Sequence, residues 1–128
     1  MLLNKLYTIR HLENSPDNSV IAAQIEIDSV HPLFAGHFPG NPVLPGVCTV
    51  QIIREILEEC LHKPVIITRA KVIKYLGLVN PVSMPLLDFS LHLHQFSENG
   101  FSCSAVVSFE GTGVCSFKGD FGDFPGSG

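Results

Sequence analysis

The residues best suited to chemistry are a histidine and a glutamine that flank a loop rich in glycine and proline. The segment from Gly36 to Ile53 reads GHFPGNPVLPGVCTVQII, with the histidine at position 37 and the glutamine at position 51. The unperturbed pKa of histidine is about 6.5, so this side chain exchanges protons near neutral pH. The prolines that follow it restrict the backbone. His37 is therefore a candidate general base, and neighbouring elements must hold it in place.

One long amphipathic helix is predicted directly after this loop, in VCTVQIIREILEECLH. Its apolar face carries Val50, Ile53, Ile56, Leu57, Cys60 and Leu61. Its polar face carries Gln51, Glu55, Glu58 and His62. Gly46 lies where the helix should begin, and Pro45 ends the extended loop before it. A helix start offers free N–H groups and a positive dipole end, so the amides of Gly46 and Val47 are suited to bind a negatively charged oxygen.

Most of the remaining chain is predicted to form β-strands. Apolar and polar residues alternate in VIAAQIEID, LLDFSLHLH and FSCSAVVSF, and the turn sequence SENG between the last two predicts an antiparallel hairpin. Further strands are expected near Leu6 to Arg10, Val65 to Tyr75 and Gly113 to Phe121. Two strands, a long helix and about four more strands are typical of an α+β fold in which an antiparallel sheet curls around a central helix.

Length and composition favour one small domain that binds small molecules or proteins. The 128 residues predict a single domain over 1–128, with only the last few residues, FPGSG, disordered. A net charge of −4 argues against nucleic acid binding. Apolar residues make up 45% and charged residues 16%, so apolar surface should remain for another subunit to cover.

The cysteines and the hydropathy pattern favour a cytoplasmic protein. The four cysteines form no C-x-x-C pair and no zinc-ligand spacing. The amino terminus lacks a signal-peptide pattern, and no apolar run approaches the ~20 residues of a membrane-spanning helix. His92 and His94 alternate on one strand face, which is more simply an exposed face than a metal site. We therefore predict no metal, no membrane contact and a reduced, cytoplasmic location.

The segment around His37 resembles the β-hydroxyacyl-acyl carrier protein dehydratases of fatty acid synthesis. The matching residues are His37, Phe38, Pro39, Gly40, Pro42, Pro45, Gly46 and Val47. RAKVIKYLGLVNPV is also similar to a strand and turn of that family. The resemblance implies the hot-dog fold, a curved antiparallel sheet that wraps one helix, and this agrees with the element order derived from periodicity.

The resemblance also implies a reaction, the reversible removal of water from a 3-hydroxyacyl thioester to give a trans-2-enoyl thioester, without a cofactor. His37 would remove the proton beside the carbonyl. The amides of Gly46 and Val47 would receive the thioester oxygen, and Gly46 has no side chain to obstruct it. A third group would protonate the leaving hydroxyl. The family's usual Glu or Asp for this role falls at position 51, where this chain has glutamine.

Four interpretations of Gln51 follow, because a carboxamide donates hydrogen bonds but is not an ordinary general acid. In the first, His37 returns the proton itself while Gln51 orients the hydroxyl. In the second, Glu55, one helical turn further on, is the alternative acid. In the third, a related subunit supplies the acid, since family members form dimers with shared sites. In the fourth, the site binds acyl thioesters without dehydrating them. We rank the first above the third, and both above the others.

The substrate is expected to be a thioester of acyl carrier protein or coenzyme A. Beside Val47, the residues expected to contact it are Phe34, Phe38, Pro39, Gly40, Val43, Leu44 and Val50. The basic residues Arg69, Lys71 and Lys74 could steer an acidic carrier, although a solvated strand explains them as well. A homodimer or higher oligomer is predicted, with a heterodimer as an alternative. The rival activities are an acyl thioesterase and a non-catalytic acyl-binding subunit.

Overall fold

The computed structural model describes residues 1–35 and 40–123. Its elements follow the predicted order: β1 (Tyr7–Asn14), β2 (Val20–Ile27), α1 (Pro32–Ala35), α2 (Gly46–Leu61), β3 (Val65–Tyr75), β4 (Leu86–Ser97), β5 (Gly100–Phe109) and β6 (Thr112–Asp123). The short helix α1 was not predicted. The predicted disorder of FPGSG lies outside the described residues.

The six strands form one sheet in the order β1-β2-β4-β5-β6-β3, and every neighbouring pair is antiparallel. The predicted hairpin is confirmed, since β4 pairs with β5 and Ser97 lies opposite Gly100 at the turn. The α+β architecture predicted from the element order is confirmed as well. Within the described ranges, no helix is long and apolar enough to cross a membrane.

The core lies between α2 and the inner face of the sheet. In β2 and β4 the burial alternates as predicted, so that Ile21, Ile25, Leu87 and Leu91 are fully buried while their neighbours are not. From the helix come four fully buried side chains: Ile52, Ile53, Ile56 and Leu57. Burying one such side chain is worth about 1.5–3 kcal/mol, so this packing fixes where the helix, and hence its first turn, lies on the sheet.

The buried surface of α2 differs from the one that the helical wheel predicted. Val50 and Leu61, assigned to the apolar face, are only half-buried, whereas Glu55, assigned to the polar face, has 0% exposure. The reason is a long-range contact, because the segment before β1 and the side chain of Tyr7 cover Glu55. A helical wheel describes one helix alone, so it does not predict burial by a distant segment of the chain.

Strand β3 is an edge strand with little cover from the rest of the chain. Of its residues only Val65 is buried, and the strand is exposed from Thr68 to its end. Exposed apolar side chains continue from it into the following turn: Val72, Ile73, Tyr75, Leu76 and Leu78. An edge with this much apolar surface is typical of an interface with another chain.

Candidate active site

The loop that carries the predicted base is described on both sides of residues 36–39. His37, Phe38 and Pro39 lie outside the described residues, so their roles remain predictions. Upstream, α1 ends at Ala35. Downstream, Gly40 adopts a φ of 82°, a conformation that favours glycine, and the N–H of Leu44 donates to the carbonyl of Val79 at 2.8 Å. This bond ties the loop to the turn between β3 and β4.

The start of α2 is a candidate site for an oxygen ligand. Pro45 is the N-cap with φ −60° and ψ 139°, and its side chain makes no capping hydrogen bond. The N–H of Cys48 donates to the carbonyl of Pro45 at 2.9 Å. Within residues 1–35 and 40–123, no acceptor binds the N–H of Gly46 or Val47, and the first turn carries no acidic residue. The positive end of the helix dipole is therefore uncompensated by the described residues.

Tyr75, at the end of β3, packs against this helix start, which the sequence did not indicate. A Cβ built on Gly46 would lie 2.5 Å from both Cε1 and Cζ of Tyr75 and 2.8 Å from its hydroxyl oxygen. Glycine at position 46 therefore makes room for this ring. Burial raises the pKa of the Tyr75 phenol, with Cys115 as a smaller cause, so the hydroxyl keeps its proton and can donate a hydrogen bond.

The predicted substrate-contacting residues occupy two different environments. A surface cleft of about 340 Å³ lies between α1 and the loop, lined by Ser29, Val30, His31, Phe34, Ala35, Gly40 and Pro42. Phe34 and Gly40 therefore lie at a space that could hold a ligand. Leu44 is buried in the core, and Val43 and Val50 are half-buried. Val47, in the first turn of α2, is 74% exposed.

The side chain of Gln51 is held on both sides. Its Nε2 donates to a carboxylate oxygen of Glu55 at 2.7 Å, and its Oε1 accepts from Nε of Arg54 at 3.3 Å. Arg54 is fixed in turn, because its Nη1 donates to Glu58 at 2.9 Å and to the carbonyl of Val65 at 3.2 Å. The carboxamide is half-buried and its orientation is set by these neighbours.

Glu55 accepts hydrogen bonds from four groups. Besides Gln51, the donors are the N–H of Leu2, at 2.9 and 3.2 Å from the two carboxylate oxygens, the N–H of Leu3 at 2.8 Å and the hydroxyl of Tyr7 at 2.9 Å. Burial by itself raises the pKa of Glu55, but these donors outweigh burial and leave the pKa below its usual range. Glu55 is thus an ionised acceptor, and this arrangement argues against its use as the alternative acid.

Comparison with known proteins gives the family. Residues 12–118 match the model of the ApeI-like family, described as the ApeI dehydratase. The 3-hydroxyacyl-[acyl-carrier-protein] dehydratase FabZ of Wolbachia pipientis wMel is 28% identical over 108 residues, covering 79% of this chain and 75% of that protein. FabZ of Ehrlichia canis is 38% identical over 47 residues, covering 37% and 31%.

Solved structures of similar shape give the fold. The dehydratase heterocomplex ApeI:P from Xenorhabdus doucetiae aligns with a TM-score of 0.69 at 17% identity, over 89% of this chain and 96% of that one. A mutant of a thioesterase from Pseudomonas aeruginosa aligns with a TM-score of 0.61 at 11% identity, over 89% and 79%. Such neighbours confirm the hot-dog fold. Because the family model spans most of the sequence, the chain belongs to the ApeI-like dehydratase family.

Proposed function

We propose that this protein dehydrates 3-hydroxyacyl thioesters reversibly to trans-2-enoyl thioesters in the synthesis of fatty acids or related lipids. The observation that carries the proposal is the helix start at Gly46, whose N–H group has no acceptor among the described residues, directly after the histidine loop in a chain of the dehydratase family. The FabZ relatives are named for acyl carrier protein substrates. We extend that substrate class to this chain, with coenzyme A thioesters as the smaller alternative.

In the proposed mechanism, the thioester oxygen binds the N–H groups of Gly46 and Val47. As His37 removes the proton beside the carbonyl, negative charge moves onto this oxygen, where the helix dipole stabilises it. The bond between C3 and the hydroxyl oxygen then breaks, the carbon–carbon double bond forms, and His37 returns its proton to the departing hydroxide. One enoyl thioester and one water result, and His37 is regenerated. The cycle balances without a second acid. Such an acid would therefore change the rate but not the stoichiometry.

Gln51 is proposed to orient the leaving hydroxyl. One N–H of its carboxamide is used by Glu55, and a second N–H and an oxygen lone pair remain by the chemistry of the group. These can hold the hydroxyl, but they do not supply a proton. Replacing a general acid by such a group costs about 10² to 10⁴ in rate, so we expect slow turnover from the isolated chain.

The acyl chain is proposed to leave the helix start along the loop. Phe34 and Gly40 at the cleft, with the half-buried Val43 and Val50, provide the described part of this path. Leu44 supports the loop from the core, and Phe38 and Pro39 would complete the wall beside the base.

A homodimer through the β3 edge is proposed as the working assembly. The support is the exposed apolar series on β3 and the following turn, which continues to Tyr75 beside the helix start. A heterodimer is the second candidate, because Gln51 lacks an acid and a structural neighbour is named a dehydratase heterocomplex. In that case a related subunit would supply the missing carboxylic acid. We also propose a reduced, cytoplasmic location, since all four cysteines are free thiols.

The test is the hydration of an enoyl thioester and the reverse dehydration, followed in the ultraviolet with the purified full chain. Wild type should turn over slowly, and His37→Ala should lose at least 100-fold. Glu59→Gln, an exposed change on the same helix, is the matched control and should retain wild-type rates. Unchanged turnover in His37→Ala would exclude the proposed mechanism. Release of free thiol from a saturated acyl thioester without enoyl chemistry would instead favour the thioesterase candidate, which structural neighbours named as thioesterases support.

A further inference from the structure

We propose that Glu55 is the positioning residue for Gln51, and that the two form a matched pair in which position 51 is neutral because position 55 is a buried carboxylate. The inference deepens the proposed function and rests on it for the role of Gln51 toward substrate. The pairing itself is a property of the folded chain and can be measured without any activity.

The pair is defined by its spacing and its contacts. Residues 51 and 55 are one helical turn apart on the same side of α2, and the 2.7 Å bond joins the carboxamide nitrogen to the carboxylate. Glu55 cannot turn away from this bond without cost, because Leu2, Leu3 and Tyr7 hold its two oxygens from the other side. Its side chain is 0% exposed, so water does not replace a lost donor.

These contacts decide which way the carboxamide faces. An ionised carboxylate only accepts hydrogen bonds, so the nitrogen of Gln51 must point toward Glu55. The oxygen then points toward Arg54, whose Nε donates to it. The second N–H and the remaining oxygen lone pair of Gln51 therefore point in fixed directions. Without Glu55 the amide nitrogen would lose its acceptor and only the longer bond from Arg54 would orient the carboxamide, so a substrate hydroxyl would meet a less well fixed donor.

A carboxylate at position 51 would not fit this arrangement. It would place an oxygen about where the nitrogen is now, within roughly 3 Å of a second carboxylate, and two such groups share one proton. Among the described residues, the ionisable groups bonded to the pair are Tyr7 from β1 and Arg54 from α2, with Glu58 and Glu59 nearby on the same helix. Arg54 is already bound to Glu58, so it does not neutralise an added charge in full.

Exchanging the two residues should restore a matched pair. In the double variant Gln51→Glu with Glu55→Gln, the new amide oxygen can accept from Leu3 and Tyr7, and its nitrogen can donate to the new carboxylate at position 51. One of the bonds from Leu2 is lost in the exchange. The acid would then lie at the position that the dehydratase resemblance predicts, beside a neutral partner.

The first test is thermal unfolding of the full chain between pH 5 and 8. Gln51→Glu should lower Tm by roughly 5 °C or more at pH 8, since the shared proton must be lost there. The pKa of such a pair is raised in the folded state, so the deficit should shrink as the pH falls toward 5. The double variant should lose less than the sum of the two single variants and lack this pH dependence. Glu59→Gln, the control for the loss of one helix carboxylate in Glu55→Gln, should stay within about 2 °C of wild type.

The second test is the side-chain amide signal of Gln51 in nitrogen–proton NMR spectra. In Glu55→Gln the signal should move and its protons should exchange faster with water. In Tyr7→Phe, which removes a different donor from Glu55, the signal of Gln51 should stay near its wild-type position. Comparing Glu55→Gln with Tyr7→Phe distinguishes a specific effect of Glu55 on the orientation of Gln51 from a general weakening of the core. If the double variant does not fold, this spectrum and the pH dependence of Gln51→Glu decide the question.

Activity measurements separate this inference from the proposed function. If the variants show coupling but no protein dehydrates thioesters, the pair is real and the proposed reaction is wrong. If wild type dehydrates thioesters, the double variant should exceed Gln51→Glu in kcat at pH 8 by about 10-fold or more, with KM little changed. Additive Tm changes in the double variant, or an unmoved Gln51 signal in Glu55→Gln, would overturn the proposal.

Discussion

Gly46→Ala should separate activity from stability, because the added methyl group meets the partly exposed ring of Tyr75 beside the predicted thioester oxygen site. The new Cβ would lie 2.5 Å from two ring atoms of Tyr75, about 1 Å closer than ordinary contact. Tyr75 is 56% exposed, so expelling its ring completely would uncover on the order of 100 Å² and cost about 2.5 kcal/mol. The ring needs to move only part of this way, and alanine favours the helix by up to ~1 kcal/mol.

The net change in Tm for Gly46→Ala should therefore stay within about 5 °C. In contrast, kcat should fall by about 10²-fold, because the methyl group would displace the thioester oxygen from the backbone N–H donors, which the substitution itself leaves in place. Unfolding is followed by circular dichroism, and turnover by the enoyl absorbance. Adding Tyr75→Ala removes the clash, so this double variant should recover any Tm lost to crowding but not the lost turnover. Wild-type kcat in Gly46→Ala would refute the placement of the thioester oxygen at the start of α2. A Tm loss above about 10 °C would show that the ring of Tyr75 is fixed.

Three further outcomes follow from the structure. Tyr7→Phe should lower the free energy of unfolding by about 1–3 kcal/mol in urea, because it removes a donor from the buried Glu55; an unchanged midpoint would contradict that bond's contribution. Leu78→Lys should weaken self-association in sedimentation velocity at matched concentrations, since this residue is 75% exposed beside the β3 edge; an unaltered dimer would place the interface elsewhere. Charge reversal at Arg69 and Lys71 should raise KM for a carrier-bound substrate but leave KM for a small thioester unchanged, and equal effects on both would exclude electrostatic steering.

The sequence predicted those elements whose local pattern agrees with their packing. Strand β4 alternates between apolar and polar residues along most of its length, and its inward side chains are buried as expected. The bounds of β3 were predicted correctly, although Ile73 and Tyr75 remain exposed at a sheet edge. A run of apolar residues identifies a strand, but it does not state whether its own chain or a partner covers it.

The predictions from sequence were weakest where distant segments meet. Tyr75 was counted only as the end of a strand, and nothing local indicates that its ring packs on Gly46. Glu55 was placed on a polar helix face for the same reason. Its burial depends on backbone N–H groups of Leu2 and Leu3, which lie more than fifty positions away. Backbone donors leave no trace in a residue pattern, so only the folded chain reveals such a site.

The contacts of Glu55 argue against one of the four interpretations of Gln51, the relocated acid. A relocated acid would have to hold a proton in the resting enzyme, yet the donors from Leu2, Leu3, Tyr7 and Gln51 stabilise the ionised form. In the first interpretation His37 carries the proton alone, so the helix needs to supply only a neutral group that holds the hydroxyl. The carboxamide of Gln51 is such a group. A partner's acid would also be compatible with a neutral residue at position 51, since that acid would approach without meeting a second charge at this position. The ionised, buried carboxylate of Glu55 thus argues against the second interpretation, and the first and third remain above it.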